Sequence, residues 1–274
     1  MIAWHGWGTS YHVFGVLYIV MAVPLFLLLR NEPAAAAGRP LSRGATDTAA
    51  GPALRRTRGR LDFGGNARNR DYLLVCVTGF CAFWGLYGFI TWANALMIKG
   101  HDVSPGTAGL VVSVFAISAV AVKPVVGFIT DRFWGGARKV PSIAIFGIFA
   151  LALIWFGHLS TPTGFILLSP LLGAAAYGWT PLLVALVPRL VPSSVTGTAS
   201  GLANAIWQLG SVLVPLAVGA VFSATGSFDA AFITLAAGPV LAMLVTLPVR
   251  DNARRRNGVH TLPQKETEPT SPVV

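Results

Sequence analysis

The chain reads as an all-α membrane protein, a helical bundle with seven transmembrane helices, and three observations carry that reading. Hydrophobic residues make up 54% of the sequence and charged residues 11%, whereas a soluble domain carries roughly 25% charged residues. Seven apolar runs are each long enough to cross a hydrocarbon core of roughly 30 Å at about 1.5 Å per residue, and none shows the period-two alternation of a barrel strand. The cations lie between the runs instead of forming a stripe interleaved with aromatics. The net charge of +10 therefore reflects membrane topology, and nucleic acid is excluded as a partner.

The first run, 11–29, has no Lys or Arg before it. A secretory leader needs a basic n-region and a small-residue cleavage site, so a retained helix is expected. Arg30 follows at once, which places the N-terminus outside and Arg30 in the cytoplasm. Residues 31–70 change to Ala, Gly, Pro, Thr and Arg and bury too little apolar surface to offset backbone entropy, so a mostly disordered basic linker is expected. Its Arg55, Arg56, Arg58 and Arg60 either enforce orientation or bind anionic headgroups. A six-helix domain, 71–250, is expected next, with runs at 72–98, 107–130, 140–156, 165–187, 199–222 and 230–249. A polar, disordered cytoplasmic tail, 251–274, follows.

Taking the turns alternately, the four cytoplasmic segments hold nine, three, one and five of the twenty Lys and Arg. Lys99 falls outside and Lys123 falls within a span, so the charge bias fixes the orientation as that of a multi-pass plasma (inner) membrane protein with a cytoplasmic C-terminus. Cys76 and Cys81, five residues apart on one helix, point to different faces and cannot pair, which makes them packing residues. Trp92, Trp155 and Trp179 read as interface anchors. Gly197 and Gly201 form a G-x-x-x-G pair that permits close helix approach. Pro170, Pro181 and Pro215 remove backbone hydrogen bonds at candidate kinks.

The most informative stretch is 121–139, AVKPVVGFITDRFWGGARK. Lys123 lies eight residues before Asp131, roughly 12 Å along the helix and close to the midplane. A cation there costs about 2.5–3.5 kcal/mol, so it must face a wet cavity or a partner. Asp131 closes the helix, and Arg132, Arg138 and Lys139 offer it partners. Acidic residues well inside a span are absent, which argues against a proton site in this block.

Three stretches carry a resemblance to a known family. Gly127-Phe-Ile-Thr-Asp131-Arg132, followed by Gly135, Gly136, Arg138 and Lys139, is similar to the G-x-x-x-D-R-x-G-R-R loop of the major facilitator superfamily, stretched by Phe133 and Trp134. Gly197 to Asn204 with Gly210, Pro215 and Gly219 forms the second stretch, and residues 4–33 form the third. The chain resembles the C-terminal half of such a transporter with the sixth helix and central loop, equivalent to helices 6 to 12 of twelve. The resemblance implies a gating role for the Gly127, Asp131, Arg132, Arg138 and Lys139 motif. It also implies that Lys123, four residues before the signature glycine, contacts the anion as in carboxylate-transporting branches. The competing reading is that Lys123 snorkels to the cytoplasm and pairs with Asp131.

The same resemblance makes four of the helices line a cavity. Trp84, Tyr87, Asn94, Tyr177, Asn204 and Gln208 then become candidate substrate contacts beside their plainer reading as packing residues. Metal-spaced Cys/His clusters, a P-loop and a G-x-S-x-G elbow are absent, so the expectation is a transporter of a small solute, not an enzyme, without cofactor or metal. An organic anion such as a carboxylate is the expected substrate, with a sugar or drug-like compound as the alternative. Alternating access needs two halves, so the chain is expected to be inactive unless a separate N-terminal half-transporter completes it in the bilayer. A nonfunctional remnant and a non-transporting membrane interaction protein are the alternatives.

Overall fold

A computed structural model describes residues 2–28, 69–192 and 195–250. The predicted linker and tail lie outside the described residues. Helix α1, Ile2–Leu28, is 27 residues long and starts well before the predicted run. It belongs to one compact unit of the chain and the remaining helices to another.

The second unit is a helical bundle. Its helices are α2 (Arg70–Ala95), α3 (Pro105–Phe133), α4 (Lys139–His158), α5 (Pro162–Gly178), α6 (Thr180–Leu190), α7 (Thr196–Thr225) and α8 (Phe228–Thr246). A π-helical turn, Leu96–Gly100, continues α2. Among the described residues six segments are long and apolar enough to cross a bilayer, α5 and α6 together forming one of them. The chain is thus a multi-pass membrane protein. The six predicted runs between 72 and 249 each lie inside or across one of these segments, most of which extend two or three residues further at each end. The first predicted run, 11–29, instead falls on α1, whose apolar stretch Tyr11–Pro24 is shorter than a span.

The predicted run 165–187 is interrupted at Trp179. Pro181 has no N–H to return to the Tyr177 carbonyl, and the Thr180 hydroxyl takes that carbonyl instead at 2.7 Å. Trp179 is also not an interface anchor. It is fully buried, with ring centroids 5.5 Å from Phe83, 5.8 Å from Phe146 and 6.4 Å from Trp207.

Local sequence sets the helix starts. Ser104, Thr161 and Ser227 cap α3, α5 and α8 with their hydroxyls, and Pro105 and Pro162 occupy first-turn positions where no N–H is needed. These three starts share one end of the bundle. At the other end, called here the basic end, lie Arg132, Arg138, Lys139 and Arg189. There Asn69 caps α2 through its carbonyl oxygen and donates to the Leu190 carbonyl at 2.6 Å.

Helices pack as α2 with α7, α3 with α5 and α4 with α8, and secondarily as α2 with α8 and α4 with α5. Exchanging the unit α2–α4 for the unit α5–α8, with α5 and α6 counted as one span, leaves these pairings unchanged, as expected of two repeated three-helix units. Polar bonds cross the pairs. The Tyr72 hydroxyl donates to the Ala199 carbonyl at 2.8 Å, and the Trp207 indole to the Val75 carbonyl at 3.2 Å. Phe89 centres the core at the far end, with Phe115 at 4.9 Å and Phe156 at 5.0 Å. Cys76 and Cys81 are free and buried.

Close approach uses glycines other than those of the G-x-x-x-G pair. A side chain at Gly210 would meet the Phe80 carbonyl and one at Gly173 the Phe115 carbonyl, while nothing lies within 4 Å of Gly197 or Gly201. Coverage is uneven. In the most apolar window of α3 17% of residues are buried and in that of α7 22%, against 39–56% in the other spans.

Candidate functional site

Lys123 lies four residues past the middle of α3, within about 6 Å of the helix midpoint. Its ammonium nitrogen stands over the Tyr177 ring, 5.0 Å from the centroid, and the residue is exposed. The Tyr177 ring is steadied by Phe115 at 6.1 Å, and its phenol lies within electrostatic reach of that of Tyr87. Helices α3 and α5 thereby bring Lys123 and Tyr177 together, with Tyr87 of α2 on the Tyr177 side. A ring face screens one side of the ammonium and leaves its other N–H donors for a ligand. The Tyr177 phenol beside it can donate to the same anion.

The competing pairing of Lys123 with Asp131 is not made. The Asp131 carboxylate is 3.9 Å from the Arg138 guanidinium. Arg138 is 15% exposed and Asp131 66% exposed, so the pair sits at a half-wet boundary where its net worth is below about 1 kcal/mol. Arg138 also donates to the Pro181 carbonyl at 3.4 Å, just past the break between α5 and α6.

The turn itself shows how the stretched signature fits. Helix α3 continues through Phe133, the N–H groups of Trp134 and Gly136 both return to the Thr130 carbonyl, and Gly135 and Gly136 adopt left-handed φ of 57° and 78°. Only glycine takes that conformation without strain. Arg189, the single cation counted in the third predicted cytoplasmic segment, donates to the Gly136 carbonyl at 2.9 Å. Its position one residue before the end of α6 was the available signal. Gly127 has nothing within 4 Å, Arg132 is exposed, and Lys139 is half-buried at the first position of α4.

The remaining candidates lie elsewhere. The Trp84 indole donates to the Thr234 carbonyl of α8 at 2.9 Å, so its polar edge is used in helix packing. Asn94 is exposed seven residues after Tyr87, hence on the same face of α2 nearer the far end. Asn204 and Gln208 are exposed one turn apart on α7, and Gln208 accepts from Ser211 at 3.4 Å. Among the described residues no contact joins either to Lys123. The described carboxylates, Asp71, Asp102, Asp131 and Asp229, all stand at helix ends or turns. No group of three or more His, Cys, Asp or Glu among the described residues is arranged to hold a metal ion.

Comparison with known proteins agrees with this architecture. A family model described as Major Facilitator Superfamily matches residues 1–215 and 75–272. The chain is 27% identical over 186 residues to a probable galactarate/D-glucarate transporter of Bacillus subtilis, covering 64% of this chain and 40% of that one. It is 26% identical over 197 residues to a probable galactarate/D-glucarate transporter of Escherichia coli, covering 68% and 42%. It is also 26% identical over 166 residues to a gentisate transporter of Corynebacterium glutamicum, covering 60% and 36%. The chain thus spans about two fifths of the length of the first curated relatives it matches. With six apolar spans, a repeated three-helix pairing and the glycine-and-charge turn after α3, the chain belongs to the Major Facilitator Superfamily.

Proposed function

We propose that the chain takes part in transmembrane transport of an organic carboxylate by alternating access, with Lys123 as the anion contact. The observation that carries this reading is the placement of Lys123. It is a cation near the middle of a membrane helix, exposed, resting on Tyr177, with no described carboxylate within ion-pair distance. A lysine held this way leaves N–H donors open to a ligand, and Tyr87 and Tyr177 supply further donors. The named substrates of the relatives, galactarate, D-glucarate and gentisate, are all carboxylates.

In this reading the basic end is cytoplasmic and the N-terminus external, in line with the distribution of cations. The Asp131–Arg138 pair closes that end in one conformation and parts in the other. The six-span bundle is one of the two rocking halves and works with an N-terminal half. The test is uptake of labelled D-glucarate or gentisate into cells expressing the chain with and without such a half. Lys123→Ala is expected to lower uptake at least tenfold, and Lys123→Arg to retain part of it. Carboxylate uptake unchanged in Lys123→Ala would remove Lys123 from the site.

A further inference from the structure

The turn between α3 and α4 carries more than the Asp131–Arg138 pair. Although the turn joins them at the basic end, α3 and α4 each pack on α5 more than on each other. Between them lies an apolar cleft of about 200 Å3, walled by Val126, Ile129 and Trp134 on one side and Val140, Ala144 and Ile145 on the other. Gly178 of α5 lies against Val126 and Ile145 and closes its inner side.

The direction in which the cleft opens follows from helix geometry. Thr130, which also lines it, is seven residues after Lys123 and so on nearly the same face of α3, where it is 1% exposed. Ile129, about 100° round the helix, is 37% exposed. The cleft therefore opens on the flank of α3 turned away from Lys123. If Lys123 faces an aqueous cavity, that flank faces lipid. At its rim stand Phe133 and Trp134, both exposed, with rings 6.4 Å apart and edge to face. Arg132, three residues after Ile129, is exposed beside them. Phe133 and Trp134 are also the two residues that stretch the loop between Asp131-Arg132 and Gly135, and the gate makes no use of them.

We propose that this cleft binds an anionic phospholipid, with one acyl chain lying between α3 and α4 and the phosphate on the Arg132 guanidinium beside the aromatic pair. An acyl chain in a bilayer is already in apolar surroundings, so the cleft selects it by packing and not by a hydrophobic gain. Discrimination between lipids then falls to the headgroup, and a guanidinium pairs with a phosphate-bearing, net-negative lipid in preference to a zwitterion. Aromatic side chains at the membrane boundary hold the headgroup level. The site does not depend on which solute is carried.

The test is native mass spectrometry of the detergent-purified chain after exposure to equal amounts of phosphatidylglycerol and phosphatidylcholine with identical acyl chains. The protein is expected to retain the anionic lipid about fivefold over the zwitterion, the equivalent of about 1 kcal/mol from one basic residue. Arg132→Gln is expected to bring the ratio to about one while lipid is still bound. Trp134→Ala is expected to lower retention of both lipids at least threefold. Both positions are exposed, so the variants keep the fold. Equal retention of the two lipids by the unaltered protein, or an anionic preference that survives Arg132→Gln, would overturn the proposal, as would unchanged retention in Trp134→Ala.

Discussion

Lys123 stands where a cation costs about 2.5–3.5 kcal/mol unless it is solvated or paired, and the only described group that offsets this is the face of Tyr177. A cation–π contact is worth about 0.5–1 kcal/mol when exposed, which is too little to neutralise the lysine but enough to fix where its nitrogen sits. The hydroxyl and the ring of Tyr177 can be separated by substitution. Tyr177→Phe keeps the face under the ammonium, whereas Tyr177→Leu removes it. The concentration dependence of carboxylate uptake is expected to show KM raised about threefold to fivefold in Tyr177→Leu and by a smaller factor in Tyr177→Phe, which loses only the hydroxyl donor. Equal losses in both variants would assign the contact to the hydroxyl and leave the ring without a role.

At the scale of helices, the two most closely packed pairs rest on glycines pressed against backbone. Gly210 of α7 faces the Phe80 carbonyl of α2, and Gly173 of α5 faces the Phe115 carbonyl of α3. A carbonyl fixed in a helix cannot move aside as a side chain can. Thermal unfolding in detergent is therefore expected to show Gly210→Ala and Gly173→Ala destabilised by about 1–3 kcal/mol, the usual cost of overpacking. Gly197→Ala serves as the contrast, since it has open space and gains helix propensity of up to about 1 kcal/mol. A gain at Gly210 matching the gain at Gly197 would show that helix propensity and not contact governs.

The same glycines mark where the sequence was readable and where it was not. Hydropathy located every span because a bilayer demands a run of about 20 apolar residues, and the cations between spans agree with the turns found. It could not see the break at Trp179, since one Thr-Pro step barely changes a windowed average. Spacing singled out Gly197 and Gly201, but which glycine meets a partner depends on the rotation of each helix in the bundle. The site shows the same division. Lys123 and Asp131 announce themselves as charges in apolar surroundings, whereas the choice of Tyr177 and Arg138 as their partners depends on contacts made across helices.

For the molecule as a whole, the uneven covering of the helices identifies the least covered side of the six-span bundle. Helices α3 and α7 are the least buried spans, and exchanging the two three-helix units carries one onto the other, so their exposure follows the internal repeat and is not a local accident. The same side carries Lys123, and under the proposed alternating-access reading it is the surface on which a second half would pack. Val120 lies three residues before Lys123 on α3 and is 71% exposed, and Ile233 on α8 is 56% exposed. A tryptophan at either position is tolerated by the bundle alone, because neither side chain is enclosed. If an N-terminal half docks on α3, affinity capture of the chain by a tagged half is expected to fall at least tenfold with Val120→Trp and to stay unchanged with Ile233→Trp. Equal capture of both variants would place the docking surface elsewhere and would leave Lys123 without the opposing wall that a carboxylate site requires.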